Sequence, residues 1–417
     1  MTTSVTQLDT SAQRRTIGSL STGQIFSGVA VAGAIPAGSL IAASVAGTES
    51  AAGLAQTSGV VGAAVLALPL ARIALGRGRR PALTLGYSIG GIGAVVVIIG
   101  AVASVLAMVL IGCFLVGVAS AANYQARYAA MDLATADSRG RSLSLVVWAG
   151  TIGAILGPNL LNASGNLAMA IGLPQLTGPY LVALVCLGLA AAVLFVFLRP
   201  DLYLVSVQRR VVAGEVVKAR PQLRDGIEHL RGRPFAVFGI AVISLGHVVM
   251  VMVMVMTPVH MAHVDVSLQL IGLVISVHVA GMYALSPVVG WGVDRLGRMP
   301  VVVIGLGILA AACVVAGLAP AESVVQLGVG LFLLGLGWSC TLIAGSAIVT
   351  DQTDPGERPS VQGLSDLSMN VAGAVGGAIA GVIVMLTSYG WLCAAALIPV
   401  VALAVVAVAV RRPMATR

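Results

Sequence analysis

A chain of 417 residues with 58% hydrophobic and only 9% charged residues falls far short of the roughly 25% charge that covers a soluble domain. With a mean hydropathy of +1.03, most of the surface must face lipid, which excludes a water-soluble enzyme or a free nucleic-acid-binding domain.

A bilayer-crossing helix takes ~20 mostly apolar residues. Residues 1–21 are polar (Thr2, Thr3, Ser4, Gln7, Asp9, Arg14, Arg15) and have no apolar signal core, so they read as an N-terminal tail ahead of a retained first span. Spans 1 to 6 follow at 22–46, 52–75, 82–101, 104–126, 143–165 and 177–198. The loop 199–234 is the longest polar stretch, and spans 7 to 12 lie at 235–261, 267–293, 300–319, 323–349, 361–386 and 388–410. The chain thus divides into a six-helix bundle at 22–198 and another at 235–411, with a tail at 412–417. The runs are long and uniformly apolar, not short and alternating as in a membrane barrel, so helices satisfy the backbone. Fifty-one glycines suit close helix–helix packing. The five cysteines all fall inside spans without a CxxC pair, as packing residues do.

All 23 basic residues fall in the two tails, in the loops after the even-numbered spans, or within a turn of those span ends (Arg72, Arg411), eight of them between Arg199 and Arg233. The intervening loops carry none. The positive-inside rule then places both termini and the middle loop in the cytoplasm, and the net charge of +8 reflects topology, with no nucleic acid as partner. Only Lys218 among them is a lysine, a usage that goes with GC-rich bacterial genomes, so the expected location is a bacterial plasma membrane.

The loop after span 8 reads Gly290-Trp291-Gly292-Val293-Asp294-Arg295-Leu296-Gly297-Arg298. It resembles the GxxxDRxGR loop signature of the major facilitator superfamily. In that pattern glycines make a tight turn, and the Asp caps a helix terminus or pairs with an Arg, bracing one conformation. Gly290, Asp294, Arg295, Gly297 and Arg298 are therefore candidate conformational residues. The matching loop after span 2, Ala71-Arg72-Ile73-Ala74-Leu75-Gly76-Arg77-Gly78-Arg79-Arg80, keeps only the terminal Gly-Arg-Arg. Gly153, Gly157 and Pro158 in span 5 are similar to part of that superfamily's antiporter motif. The resemblance implies twelve helices in two bundles, an alternating-access carrier, a small solute as partner beside the lipid bilayer, and a monomer.

Spans 7 and 8 hold a methionine–histidine constellation. His247, Met250 and Met254 share one helix face, Met252 and Met256 another, and His278 shares a face with Met282 on the next span. Thioether sulfur selects Cu(I), and imidazole also suits copper, whereas Mg²⁺ and Ca²⁺ want oxygen ligands that are scarce here. Methionine is equally a gap-filler of helices, and an alternating Met/Val run is also what plain packing gives. The pair of motifs is similar to a copper-importing subfamily of major facilitators that serves haem–copper oxidases, with MxxxM before Thr-Pro in span 7 and HxxxM in span 8. Alignment on Thr257-Pro258 implies a metal path through Met250, Met254, His278 and Met282, with Met252/Met256 as a competing register. His247, His260 and His263, with Met261 and Asp265, are candidates for metal entry.

The expectation is a secondary transporter that needs no cofactor and carries copper inward. The alternative is an ion-coupled exporter of drugs or small metabolites, using polar residues such as Gln24, Asn123, Tyr124, Gln125, Trp148, Asn159 and Trp338. An ATP-driven pump is excluded within this chain, since no GxxxxGK[ST] loop occurs. No HExxH metalloprotease signature occurs either. A receptor or scaffold would carry a domain in the middle loop. Asp366 and Asp132 are the candidates for proton coupling, with Arg127 placed to pair with Asp132.

Overall fold

The computed structural model describes residues 2–47, 50–132, 134–212, 223–262, 264, 266 and 268–411. His263, Asp265, Lys218 and the tail 412–417 lie outside the described residues. Helices α1 Thr2–Ala46, α2 Ser50–Arg77, α3 Arg79–Val102, α4 Leu106–Ala129, α5 Arg139–Asn159, α6 Leu161–Ala170, α7 Gly178–Phe197, α8 Leu202–Val212 and α9 Leu223–Arg231 come first. They are followed by α10 Pro234–Ala262, α11 Leu268–Tyr283, α12 Ser286–Leu296, α13 Arg298–Gly317, α14 Val324–Asp351, α15 Arg358–Leu386 and α16 Tyr389–Arg411. Among the described residues, twelve helical segments are long and apolar enough to cross a bilayer. The protein is an all-α membrane protein of twelve transmembrane helices, in keeping with the apolar run lengths.

Helix α1 starts at Thr2, so the polar residues before 22 are themselves helical, and two expectations, the unbroken spans 5 and 8, need correction. Ser19 and Thr22 return their hydroxyls to the carbonyls of Arg15 and Gly18, which lets polar residues sit in the helix, and Gln13 Nε2 donates to Ala130 O at 2.7 Å. The stretch read as span 5 breaks after Asn159, whose amide takes the Ile155 carbonyl at 2.6 Å, just past Pro158. The stretch read as span 8 breaks between Tyr283 and Ser286. Pro287 cannot donate to the Tyr283 carbonyl, and the Ser286 hydroxyl takes it instead at 2.7 Å.

By compactness the chain forms two units. The first comprises residues 1–135, 145–231 and 353–367, and the second 136–144, 232–352 and 368–417. In the first, α3 and α7 pack on one another, and α4 lies along α2 and α3. Its core is built from small residues (Ala30, Ala34, Ala119, Ala122) around Tyr87, Tyr180 and Leu187. Gly153 and Gly157 of α5 face Gly28 and Gly33 of α1 so closely that a Cβ on Gly153 would stand 2.6 Å from the Gly28 backbone. In the second unit α14 is the hub, packed against α10, α11 and α13.

Gly78 and Gly297 precede α3 and α13 with φ of 94° and 95°, a left-handed turn that repeats in both halves although the loop sequences differ. Gly297→Ala is expected to cost about 1–3 kcal/mol through the backbone alone, because no neighbour lies closer to its Cβ position than 3.7 Å. Thermal unfolding in detergent checks this, with Gly76→Ala, which meets nothing within 4 Å, expected to change little.

Candidate functional site

The second unit brings three ring side chains together near the middle of its helices. Trp338 of α14 donates its Nε1–H to His247 Nδ1 at 3.0 Å, which fixes His247 as the Nε2–H tautomer. Tyr283, the last residue of α11, stands edge-on to Trp338 with centroids 6.0 Å apart. Trp338 is buried, and His247 and Tyr283 are half-buried. The cluster adjoins the α11–α12 break. Broken transmembrane helices release backbone groups and mark solute sites in secondary transporters. Gly373 of α15 leaves room for the His247 ring, since a Cβ there would come 2.8 Å from Nε2.

The proposed copper ligands are distributed differently. His278 is fully buried, and its Nδ1–H donates to the Leu331 carbonyl of α14 at 2.8 Å. Its Nε2 has no hydrogen-bond partner among the described residues. Met282, one turn on, is buried on the same helix. Helices α10 and α11 each pack along α14 and little on one another. Met250 and Met252 are both buried although they point to nearly opposite sides of α10, while Met254 and Met256 are half-buried. Both registers are thus engaged in packing. His260 stacks on Tyr389 at 4.3 Å, and Tyr389 shares a hydrogen bond with Thr257 at 2.8 Å. Among the described residues no three His, Cys, Asp or Glu side chains gather as a metal set.

Among the described residues, the first unit contains two buried ion pairs. Arg127 Nη2 meets Asp366 Oδ1 at 2.6 Å, between the rings of Tyr124 and Tyr128 at 5.5 and 4.9 Å from the guanidinium. Arg79 Nε meets Asp132 Oδ2 at 2.9 Å, and Arg79 also donates to Gln362. The expected Arg127–Asp132 pairing is therefore replaced: Asp132 lies past the end of α4, where Arg79 at the start of α3 reaches it. Residues 353–367 are held by Arg358 Nη1 on the Asp132 carbonyl (3.2 Å), Tyr203 Oη on the Gly356 carbonyl (3.1 Å) and Tyr128 Oη on Ser365 Oγ (3.1 Å).

In the second unit Asp294 caps the start of α5. Its Oδ1 accepts the Gly140 N–H and its Oδ2 the Arg141 N–H, each at 2.8 Å, satisfying orphan donors at the positive helix end. Gly290 lies directly against Gly140 and Ser144. Arg298 donates to Asp351 at 2.8 Å, and Arg139 bonds the same carboxylate. Arg295 lies over Trp291, 5.5 Å from its centroid. Gly297 supplies the turn.

Of the polar residues proposed from the sequence, Trp338 joins the ring cluster. Asn123 Oδ1 accepts the Tyr87 hydroxyl at 2.9 Å, and Gln125 bonds the Ala67 carbonyl at 3.0 Å. Trp148 and Asn159 are exposed. Tyr283, Tyr87, Arg79 and Gln362 escaped the sequence reading. Tyr283 alone had a signal, standing just ahead of Ser286-Pro287.

The Major Facilitator Superfamily profile matches residues 20–267 and 250–417. The chain is 38% identical over 397 residues to the uncharacterized MFS-type transporter YdeG of Bacillus subtilis (strain 168), covering 94% of this chain and 92% of that one. It is 28% identical over 331 residues to the riboflavin transporter RfnT of Brucella anthropi, covering 79% of each. The solved structure of the proton:xylose symporter XylE, bound to 6-bromo-6-deoxy-D-glucose, shares the fold with a TM-score of 0.73 at 14% identity over 95% of both chains.

Proposed function

The chain belongs to the major facilitator superfamily, whose members are transporters and not enzymes, and from that premise we propose that it carries a small organic solute bearing a planar ring across the bacterial plasma membrane. The mechanism is alternating access, in which two bundles open the solute to each side in turn. The observation that carries the reading is the His247–Trp338–Tyr283 cluster beside a broken helix. Half-buried Tyr283 and buried Trp338 supply aromatic rings beside an imidazole that Trp338 orients, the mix of apolar and polar groups typical of an organic ligand site. Kinship with a riboflavin transporter points to the same solute class.

Coupling is assigned to Asp366, with Asp132 as a second carboxylate. Ionisable groups inside a span are functional by default, and Asp366 has a cation to release on taking a proton. Asp366→Asn is expected to abolish uphill accumulation while leaving exchange of solute across the membrane, measured with and without an imposed proton gradient.

Copper import is the second reading, supported by the unpartnered Nε2 of buried His278 and by Met282 one turn away. The two readings part in uptake assays on cells that express the chain at matched levels, with labelled riboflavin and radiocopper in parallel. The organic reading expects Trp338→Ala to cut ring-solute uptake about ten-fold, as loss of roughly 1.4 kcal/mol would, and copper content to ignore the chain. Copper uptake that needs the chain and fails in His278→Ala selects the second reading.

A further inference from the structure

A cavity of about 490 Å³ opens in the first unit beside the start of α3 and the end of α7, among Arg77, Arg80, Thr84, Ser88, Phe195 and Leu204. We propose that it seats the phosphate headgroup of an anionic phospholipid from the leaflet on the arginine-bearing side. Arg77 closes one span and Arg80 stands at the opening of the next, so the cavity sits at headgroup level. The guanidinium of Arg80 lies 4.9 Å from the centroid of Phe195, and that of Arg199 lies 5.8 Å from the same ring. None of Arg77, Arg80 and Arg199 has a carboxylate partner among the described residues. Asp201 also lines the cavity, but its oxygens are taken by the N–H groups of Arg80 (2.8 Å) and Tyr203 (3.2 Å).

Arg80, Thr84 and Ser88 follow one another at four-residue steps and share a face of α3. The Thr84 hydroxyl is buried without a hydrogen-bond partner among the described residues, a donor that a phosphate oxygen would satisfy. Planar guanidinium matches the oxygen fork of a phosphate bidentately. The rim settles its source. Leu85, Phe195 and Leu204 expose apolar surface next to the arginines, which acyl chains cover and a free anion would not. Basic pockets among transmembrane helices on the cytoplasmic side are where anionic lipids lodge.

The test is native mass spectrometry of the full chain in detergent with added phosphatidylglycerol or phosphatidylcholine. Selective retention of phosphatidylglycerol is expected. Arg77→Gln/Arg80→Gln should weaken it about thirty-fold, corresponding to roughly 1 kcal/mol for each arginine at an anionic surface. Thr84→Val, close in shape, should weaken it about three-fold, one neutral hydrogen bond. Arg14→Gln/Arg72→Gln removes the same charge from exposed positions away from the cavity and should leave retention intact. Equal retention of the two lipids, equal loss in both double variants, or displacement of the lipid by millimolar inorganic phosphate would overturn the proposal.

Discussion

Arg127→Met is expected to lower the unfolding free energy by about 3–5 kcal/mol, the cost of leaving a buried carboxylate without its cation. Both side chains are sealed from solvent, at 3% exposure for Arg127 and 0% for Asp366. The other buried guanidinium of this unit, Arg79, is already bonded to Asp132 and Gln362. The matching change at Arg298 is expected to cost no more than about 1 kcal/mol, because Arg298 and Asp351 are 18% and 24% exposed and Arg139 remains on the carboxylate. The double variant Arg127→Met/Asp366→Leu should regain most of the stability, since apolar replacement of a buried pair is commonly neutral. Uphill accumulation should be lost in the double variant, with exchange retained, if Asp366 carries the coupled proton. Unfolding in detergent and solute uptake, measured on the same preparations, separate the structural cost from the coupling role.

Gly290→Val is the second large effect. The α5 start and α12 meet where Gly140 and Gly290 leave no room for a side chain, and a Cβ on Gly140 would already stand 2.6 Å from the Gly290 carbonyl. A branched side chain must push the helices apart at a packing cost of about 1–3 kcal/mol. Separation also draws Asp294 away from the N–H groups of Gly140 and Arg141, a cap worth about 0.5–2 kcal/mol. Transport is expected to fall at least about ten-fold with membrane expression retained, and Asp294→Asn should reproduce the smaller, capping part of the loss. Normal transport by Gly290→Val would show that this crossing can open without consequence.

The twelve spans were legible because lipid imposes a length and a hydropathy on each one. The turn at Gly297 was legible because its loop keeps the GxxxDRxGR residues, and the capping role of an acid there has its geometric counterpart in Asp294. The helix breaks were marked only by Pro158 and Pro287, and proline alone does not decide a break, since Pro69 and Pro258 lie inside continuous α2 and α10. Arg79 read as one more charge of the basic loops, yet it is buried against Asp132 and Gln362. Sequence periodicity speaks only for neighbours three and four residues apart, while these partners lie 53 and 283 positions away. The same limit explains Arg127, whose local acid at Asp132 lost to Asp366, 239 positions off. Met250 and Met254 do share a face, but face-sharing cannot say that α10 is covered on more than one side or that His278 turns towards α14.

The ring cluster of the second unit is proposed to hold an organic solute. Counterflow in proteoliposomes of the purified chain tests it most directly, with labelled riboflavin and radiocopper(I) offered in parallel. Exchange of the ring solute, its loss in Trp338→Ala, and copper movement no faster than in empty liposomes are expected. Copper accumulation that requires His278, with riboflavin and related ring solutes left outside, would contradict it.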